Sequence, residues 1–271
     1  MTATAIHTDH LEFHVGAFRL QDVSVSIPEG KLTAIIGPNG SGKSTLLKIM
    51  ARLLKADQGE VYVHNRQAKT YKSMEFAQTV SMLTQSKGQL PELTVRELVA
   101  YGRSPYKRMF DRMTADDVRI IDWALNMTGT AKAEQQMFHT LSGGEQQKVR
   151  IAMALAQKTN ILLLDEPTTY LDLAHQLDVM EMLQRINQTS RLTIVMVLHD
   201  LQQAANYCDY LIAMKHGRVV GSGNPKEIIN PQFLQDVYSI EAKVAFDDDY
   251  PVIIPIRKTA YKPEEEIIWS L

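Results

Sequence analysis

The stretch Leu32-Thr33-Ala34-Ile35-Ile36-Gly37-Pro38-Asn39-Gly40-Ser41-Gly42-Lys43-Ser44-Thr45 decides how the rest of the chain is read. An apolar run runs directly into Gly-x-x-x-x-Gly-Lys-Ser, and Leu46, Leu47, Met50, Leu53 and Leu54 then recur at helical spacing. Strand, glycine-rich loop and helix in that order form the context in which backbone N–H groups can curl around phosphate oxygens. The helix N-terminus adds favourable dipole charge for an anion. Within the loop, Lys43 can neutralise β/γ-phosphate charge, Ser44 can ligate Mg²⁺ and Thr45 is placed to bond the α-phosphate. The stretch implies a bound nucleoside triphosphate.

Further short apolar runs lie outward from this loop. Ile161–Leu164 and Thr193–Leu198 have the look of Leu32–Ile36: strands buried on both faces, as in a parallel sheet. Phe18–Ile27 alternates apolar and polar residues, Glu60–His64 reads as a strand, and Tyr210–Val220 reads as a hairpin turning at His216–Gly217. The expected fold is α/β: a P-loop NTPase core with parallel strands in a mixed sheet, accompanied by an antiparallel β subdomain. Between about residues 86 and 145 the pattern becomes helical. Thr94 and Glu97 form a capping box there, and the helical reading continues through Leu98–Tyr101 and Thr114–Asn126. This predicts an α-helical subdomain inserted into the core. Asn224-Pro225 starts another helix, with Pro at its first position. Residues 241–271 are acidic and proline-containing, with Asp247–Asp249 and Glu264–Glu266, and read as a C-terminal extension to a domain spanning 1–240.

Two more motifs carry chemistry. The run Ile161–Leu164 ends in Asp165 and Glu166. From the end of a strand Asp165 can reach a metal held by Ser44, and Glu166, facing another side, can orient or deprotonate an attacking water. Leu141-Ser142-Gly143-Gly144-Glu145 precedes the helical run Gln146–Gln157. Ser142 and Glu145 make a second capping box, which leaves bare N–H groups and two permissive glycines at a second anion-binding helix end.

Composition narrows the class. The 271 residues are 45% hydrophobic and 22% charged, with 29 Lys plus Arg against 31 Asp plus Glu. A net charge of -2 argues against a protein that wraps nucleic acid. With the single cysteine Cys208, a disulfide framework is excluded and a cysteine-based zinc site disfavoured. His7, His10 and His14 have no carboxylate or thiol partner set that would argue for a metal. The opening MTATAIHTDH lacks a basic-then-apolar signal, and no apolar run is long enough to span a bilayer. The expectation is a soluble, cytosolic chain.

Taken together, the phosphate loop, a glutamine, LSGGE, ILLLDE and a histidine, in that order, closely resemble the ATP-binding cassette (ABC) family over roughly residues 10–240. The resemblance implies further roles. Gln85 would be the glutamine that contacts Mg²⁺ and the attacking water, and His199 the histidine that contacts the γ-phosphate. Leu171-Asp172 would be the D-loop. It also implies that two copies pack head to tail with ATP and Mg²⁺ between them. Each γ-phosphate would face Lys43, Gln85 and His199 of one chain and Ser142, Gly144 and the Asp172 region of the other. The family stacks adenine on an aromatic residue upstream of the loop. Here that slot counts back to His14, with Phe13 beside it and Phe18 slightly later, and Phe13 and Phe18 fit sheet core equally well.

A single cassette without a membrane span resembles the ATPase of a bacterial importer, peripheral on the cytoplasmic face and bound to separate integral-membrane permease subunits. A substrate-binding protein would be an indirect partner. Val99–Tyr106, containing Gly102-Arg103-Ser104-Pro105, resembles a stretch in the ATPases of iron-siderophore, haem and cobalamin importers. Leu90, Leu93 and Tyr101 would then line the groove for a membrane-subunit helix. Iron-siderophore uptake comes first, with cobalamin or haem as alternatives. A cytosolic ABC ATPase not tied to a membrane is the rival, but the length and the lack of a sustained heptad run oppose it.

Overall fold

The computed structural model describes residues 3–85, 92–108, 111–247 and 250–259. Leu90, Asp248, Asp249 and Glu264–Glu266 lie outside the described residues. Twelve strands and nine α-helices make up the described part, in three sheets. The first sheet is antiparallel, built from β1 (Thr4–Val15), β2 (Phe18–Pro28), β4 (Gln58–Val63) and β5 (Arg66–Gln67) in the order β2-β1-β4-β5. β3 (Leu32–Ile36) leaves it for the central sheet and leads into α1 (Lys43–Met50).

The central sheet has the order β10-β9-β3-β8-β7-β6. Its strands are β6 (Val80–Leu83), β7 (Ile161–Asp165), β8 (Thr193–Val197), β9 (Tyr210–Lys215) and β10 (Arg218–Gly223), besides β3. All neighbours pair in parallel except β9 with β10, which form the antiparallel hairpin that turns at His216–Gly217. The apolar runs are continuous because both faces are covered. Along β3, Ala34 and Ile36 join the core beneath the helices, whereas Ile35 joins the core shared with α1 and the antiparallel sheet.

After α2 (Ser73–Ala77) and β6 comes the helical lobe: α3 (Val95–Ala100), a 3-10 segment Tyr101–Tyr106, α4 (Ala115–Met127) and α5 (Gly143–Ala156). Thr94, Thr114 and Ser142 each cap their helix through a reciprocal box with the acid three residues on. The lobe is closed by Arg103, which is 5% exposed. Its Nε donates to Asp117 Oδ1 at 2.9 Å and its Nη1 to the Ala156 carbonyl at 2.8 Å, joining α4 to α5. Lys107 pairs with the other Asp117 oxygen at 2.5 Å, and the guanidinium lies 4.0 Å over the Tyr106 ring. The Gly-Arg-x-Pro stretch is thus internal structure at Arg103, whereas Tyr101 is 56% exposed and Leu93 packs partly on the core.

The chain then passes through α6 (Leu173–Ser190), α7 (Leu201–Tyr207), α8 (Pro225–Ile228) and α9 (Pro231–Tyr238). Two findings go beyond the sequence pattern. The N-terminal stretch holding His7, His10 and His14 is strand β1, whose Ala5, Ile6, Thr8 and Leu11 are buried although most of its other residues are polar. The acidic extension opens as a hairpin, β11 (Ile240–Asp247) with β12 (Tyr250–Lys258), resting on α7 and α9. Pro251 and Pro255 are accommodated because β12 is an edge strand.

Burial pushes the Asp117 carboxyl up, but bonds from Lys107, Thr114 and Arg103 outweigh it and hold it well below the usual carboxylate range. Arg103→Ala is expected to destabilise the protein by about 3 kcal/mol, since it leaves a buried carboxylate short of a partner. Denaturant unfolding measures this. Because the folded pKa is depressed, the contribution of Asp117 is complete above its unfolded value of about 3.9 and is lost as pH falls below it.

Candidate functional site

Parallel pairing delivers four segments to one edge of the central sheet. β3 ends at the glycine loop, β8 just before His199, β7 at Asp165 and β6 two residues before Gln85. Gly37, Gly40 and Gly42 all adopt positive φ, and a Cβ on Gly37 would fall 2.1 Å from the Met214 carbonyl oxygen. The loop can take this path only without a side chain there.

Lys43 lies across the inside of the loop, donating to the carbonyls of Gly37 at 2.8 Å and Pro38 at 3.1 Å. Burial pushes its pKa down, opposed by the carboxylates of Glu166 and Asp165. Ser44 Oγ donates to Asp165 Oδ1 at 2.6 Å, and Lys48, one helical turn on, stands 3.9 Å from the other Asp165 oxygen. Glu166 sits at φ 56, a left-handed conformation unusual outside glycine. Gln85 Nε2 donates to its Oε2 at 2.5 Å, Thr169 Oγ1 donates to the same oxygen at 3.0 Å, and His199 Nε2 pairs with Oε1.

Phe18, Asn39, Gly40, Gly42, Lys43, Ser44, Thr45, Glu166 and His199 line a cleft of about 450 Å³, within the range of small-molecule sites. The cleft combines an ammonium, loop and helix N–H groups and a cradled carboxylate, which suits a polyphosphate and a water. Within the loop the buried Ser41 Oγ has no hydrogen-bond partner. Among the described residues no cluster of three His, Cys, Asp or Glu could hold a metal alone. The hydroxyl of Ser44 with the carboxylate of Asp165 fits Mg²⁺, which binds through one or two protein oxygens, phosphates and water.

His14 is held away from this cleft: its backbone N–H and Nδ1 both engage Asp57 Oδ2, at 2.7 and 3.1 Å. The aromatic ring at the cleft is Phe18, whose Cζ would lie 2.9 Å from a Cβ on Gly42. Its place at the start of β2 was legible, but pattern alone could not say which of three nearby rings would face the loop. Nor do Ser142, Gly143, Gly144, Glu145 and Asp172 line the cleft of their own chain. Ser142 caps α5 through its bonds with Glu145, and Asp172 caps α6 by accepting from the His175 N–H at 2.9 Å. Sequence reasoning missed Thr169 and Lys48, although each stands a helical-turn distance from a residue it did single out.

A family profile described as ABC transporter matches residues 20–169. The petrobactin import ATP-binding protein FpuC of Bacillus anthracis is 43% identical over 244 residues, covering 90% of each chain. The iron(3+)-hydroxamate import ATP-binding protein FhuC of Bacillus subtilis (strain 168) is 43% identical over 249 residues, covering 92% of this chain and 93% of that one. Among solved structures, a metal-chelate type ABC transporter in an inward-facing conformation superposes with a TM-score of 0.82 at 25% identity, over 94% of this chain and 98% of that one. A dimeric bacterial ABC transporter cassette gives 0.69 at 30% identity, over 81% and 98%.

Lys43→Ala is expected to weaken binding of a fluorescent ATP analogue by more than about tenfold while the thermal midpoint stays close to wild type. Unchanged affinity would show that the cleft does not take the phosphates through this residue.

Proposed function

Since the chain belongs to the ABC transporter family and is the ATP-hydrolysing subunit of an importer, we propose that it powers uptake of an iron-siderophore complex through separate permease subunits. The observation that carries the ATP-hydrolysing part of this reading is the cradled Glu166, held by Gln85, Thr169 and His199 beside the glycine loop. Relatives named as import ATP-binding proteins for petrobactin and for iron(3+)-hydroxamate support the cargo class.

In this reading Gly37–Gly42 supply backbone N–H groups to the phosphates, Lys43 binds the β- and γ-phosphates and Thr45 the α-phosphate. Ser44, Asp165 and Gln85 are the protein's oxygen donors toward Mg²⁺, which would neutralise phosphate charge when bound. Glu166 orients the attacking water and accepts its proton. Gln85 and His199 keep that carboxylate aimed into the cleft, and His199 lies within reach of the γ-phosphate. Phe18, in place of His14, is the ring available to the base.

The signature segment, Ser142 through Glu145, and Asp172 act on the ATP of a second copy. Support for this lies in a capped helix end whose Gly143 faces open space and which has no place in its own chain's cleft. ATP is then the contact between two copies, and its hydrolysis releases them, a two-state switch biased by nucleotide. Residues 1–240 form the cassette, with the helical subdomain at about 86–145, and 241–271 form an extension. Among the described residues no helix is long and apolar enough to cross a membrane. In this reading, supported by relatives named as import ATP-binding proteins, the permease is a separate chain, this subunit works at the cytoplasmic face and a substrate-binding protein is its indirect partner.

Glu166→Gln is expected to bind ATP normally, hydrolyse it about 10²-fold slower or worse, and accumulate as an Mg-ATP dimer in sedimentation. Affinity purification from detergent-solubilised cells should recover a polytopic permease. Recovery of only ribosomal or chromosomal partners would keep the ATPase and overturn the transport role.

A further inference from the structure

One imidazole joins the two segments that this chain withholds from its own cleft. Asp172 Oδ1 accepts from the backbone N–H of His175 at 2.9 Å and lies 2.7 Å from its ring Nδ1. The opposite edge of that ring is pressed against the first turn of α5. A Cβ on Gly144 would fall 2.1 Å from His175 Cδ2, 2.7 Å from Cγ and 3.0 Å from Nε2. Gly143, one residue earlier, would meet nothing within 4 Å. The His175 ring thus occupies the space that a side chain at position 144 would need.

The neighbouring Gln176 secures the same loop from another direction. Its Nε2 donates to the Leu171 carbonyl at 3.0 Å, and its Oε1 accepts from Gln203 at 2.6 Å. Gln203 belongs to α7, whose N-cap Asp200 directly follows His199. The loop at Leu171-Asp172 is therefore bound to the His199 end of the cleft through Gln176 and to the N-terminal turn of α5 through His175.

We propose that His175 is a positioning residue that locks the Asp172 loop to the Ser142–Gly144 turn, so that both reach a second copy's ATP as one rigid unit. The inference rests on the composite-dimer reading above. Its energetic logic is preorganisation: two segments already fixed relative to each other lose less freedom when the dimer closes. The side chain is 39% exposed, so its truncation leaves no core void.

The test measures Mg-ATP dimerisation by sedimentation in the Glu166→Gln background, and binding of mant-ATP to the lone chain at low protein concentration. If Glu166→Gln stays monomeric, the composite reading itself fails and takes this inference with it. Given that dimer, adding His175→Ala is expected to weaken association about tenfold, the scale of one charge-assisted hydrogen bond, with mant-ATP affinity and thermal midpoint unchanged. His175→Asn keeps a donor for Asp172 and is expected to recover part of the loss. An unchanged dimer constant in His175→Ala overturns the inference alone. So does a matching fall in mant-ATP affinity and thermal midpoint, which would make His175 a prop of the fold.

Discussion

The parallel pairing of β3, β8, β7 and β6 is the constraint on which the chemistry of this chain depends. In-register pairs such as Ile35 with Val197, Val197 with Asp165, and Leu164 with Leu83 bring four chain segments to one sheet edge. Because every strand there runs the same way, each ends in a loop on the same side, and those loops hold Lys43, His199, Glu166 and Gln85. Ligands of open α/β sheets bind beyond the carboxyl ends of the strands for this reason. The apolar cores on both faces hold the register, since a slip of one residue would turn the slipped strand's side chains to the opposite core.

On that frame the site is built from opposed requirements. Glycines permit a loop path that a Cβ would forbid, and Glu166 accepts a left-handed backbone that its side chain disfavours. Three donors converge on the Glu166 carboxylate, and a buried ammonium is held among carbonyls nearby. Such a site is costly to assemble locally, and the packed sheet beneath it keeps it in place. The lobe follows a similar rule, with a buried ion pair at Arg103 and Asp117 fixing three helical segments where apolar contact alone would leave their angle loose. At the far end of the site, His175 and Gln176 carry the order outward from the cleft to the turn that begins α5.

Much of this was legible in the primary structure because the decisive interactions are local. The apolar runs at Leu32–Ile36, Ile161–Leu164 and Thr193–Leu198 can be satisfied only by burial on both faces, and each is a central strand. Capping boxes at Thr94 and Ser142 span three residues, so the helix starts they mark are seen without knowing the fold. Strand β1 escaped because its polar residues outnumber the buried ones, and the β11–β12 hairpin because charges and prolines masked its alternation.

What the sequence determined by itself is the chemistry carried by short spacing: a phosphate loop followed by a helix, paired carboxylates ending a strand, and a capped helix end rich in glycine. Tertiary structure alone decided which distant groups meet. It turned His14 toward Asp57 and set Phe18 against the loop. It seated the ring of His175 on Gly144 and brought Gln85 and His199 to the same carboxylate. The physical reason is separation along the chain. A cap or a loop is written within a few residues, whereas a contact across 81 residues, such as Gln85 with Glu166, exists only once strand order and register are fixed.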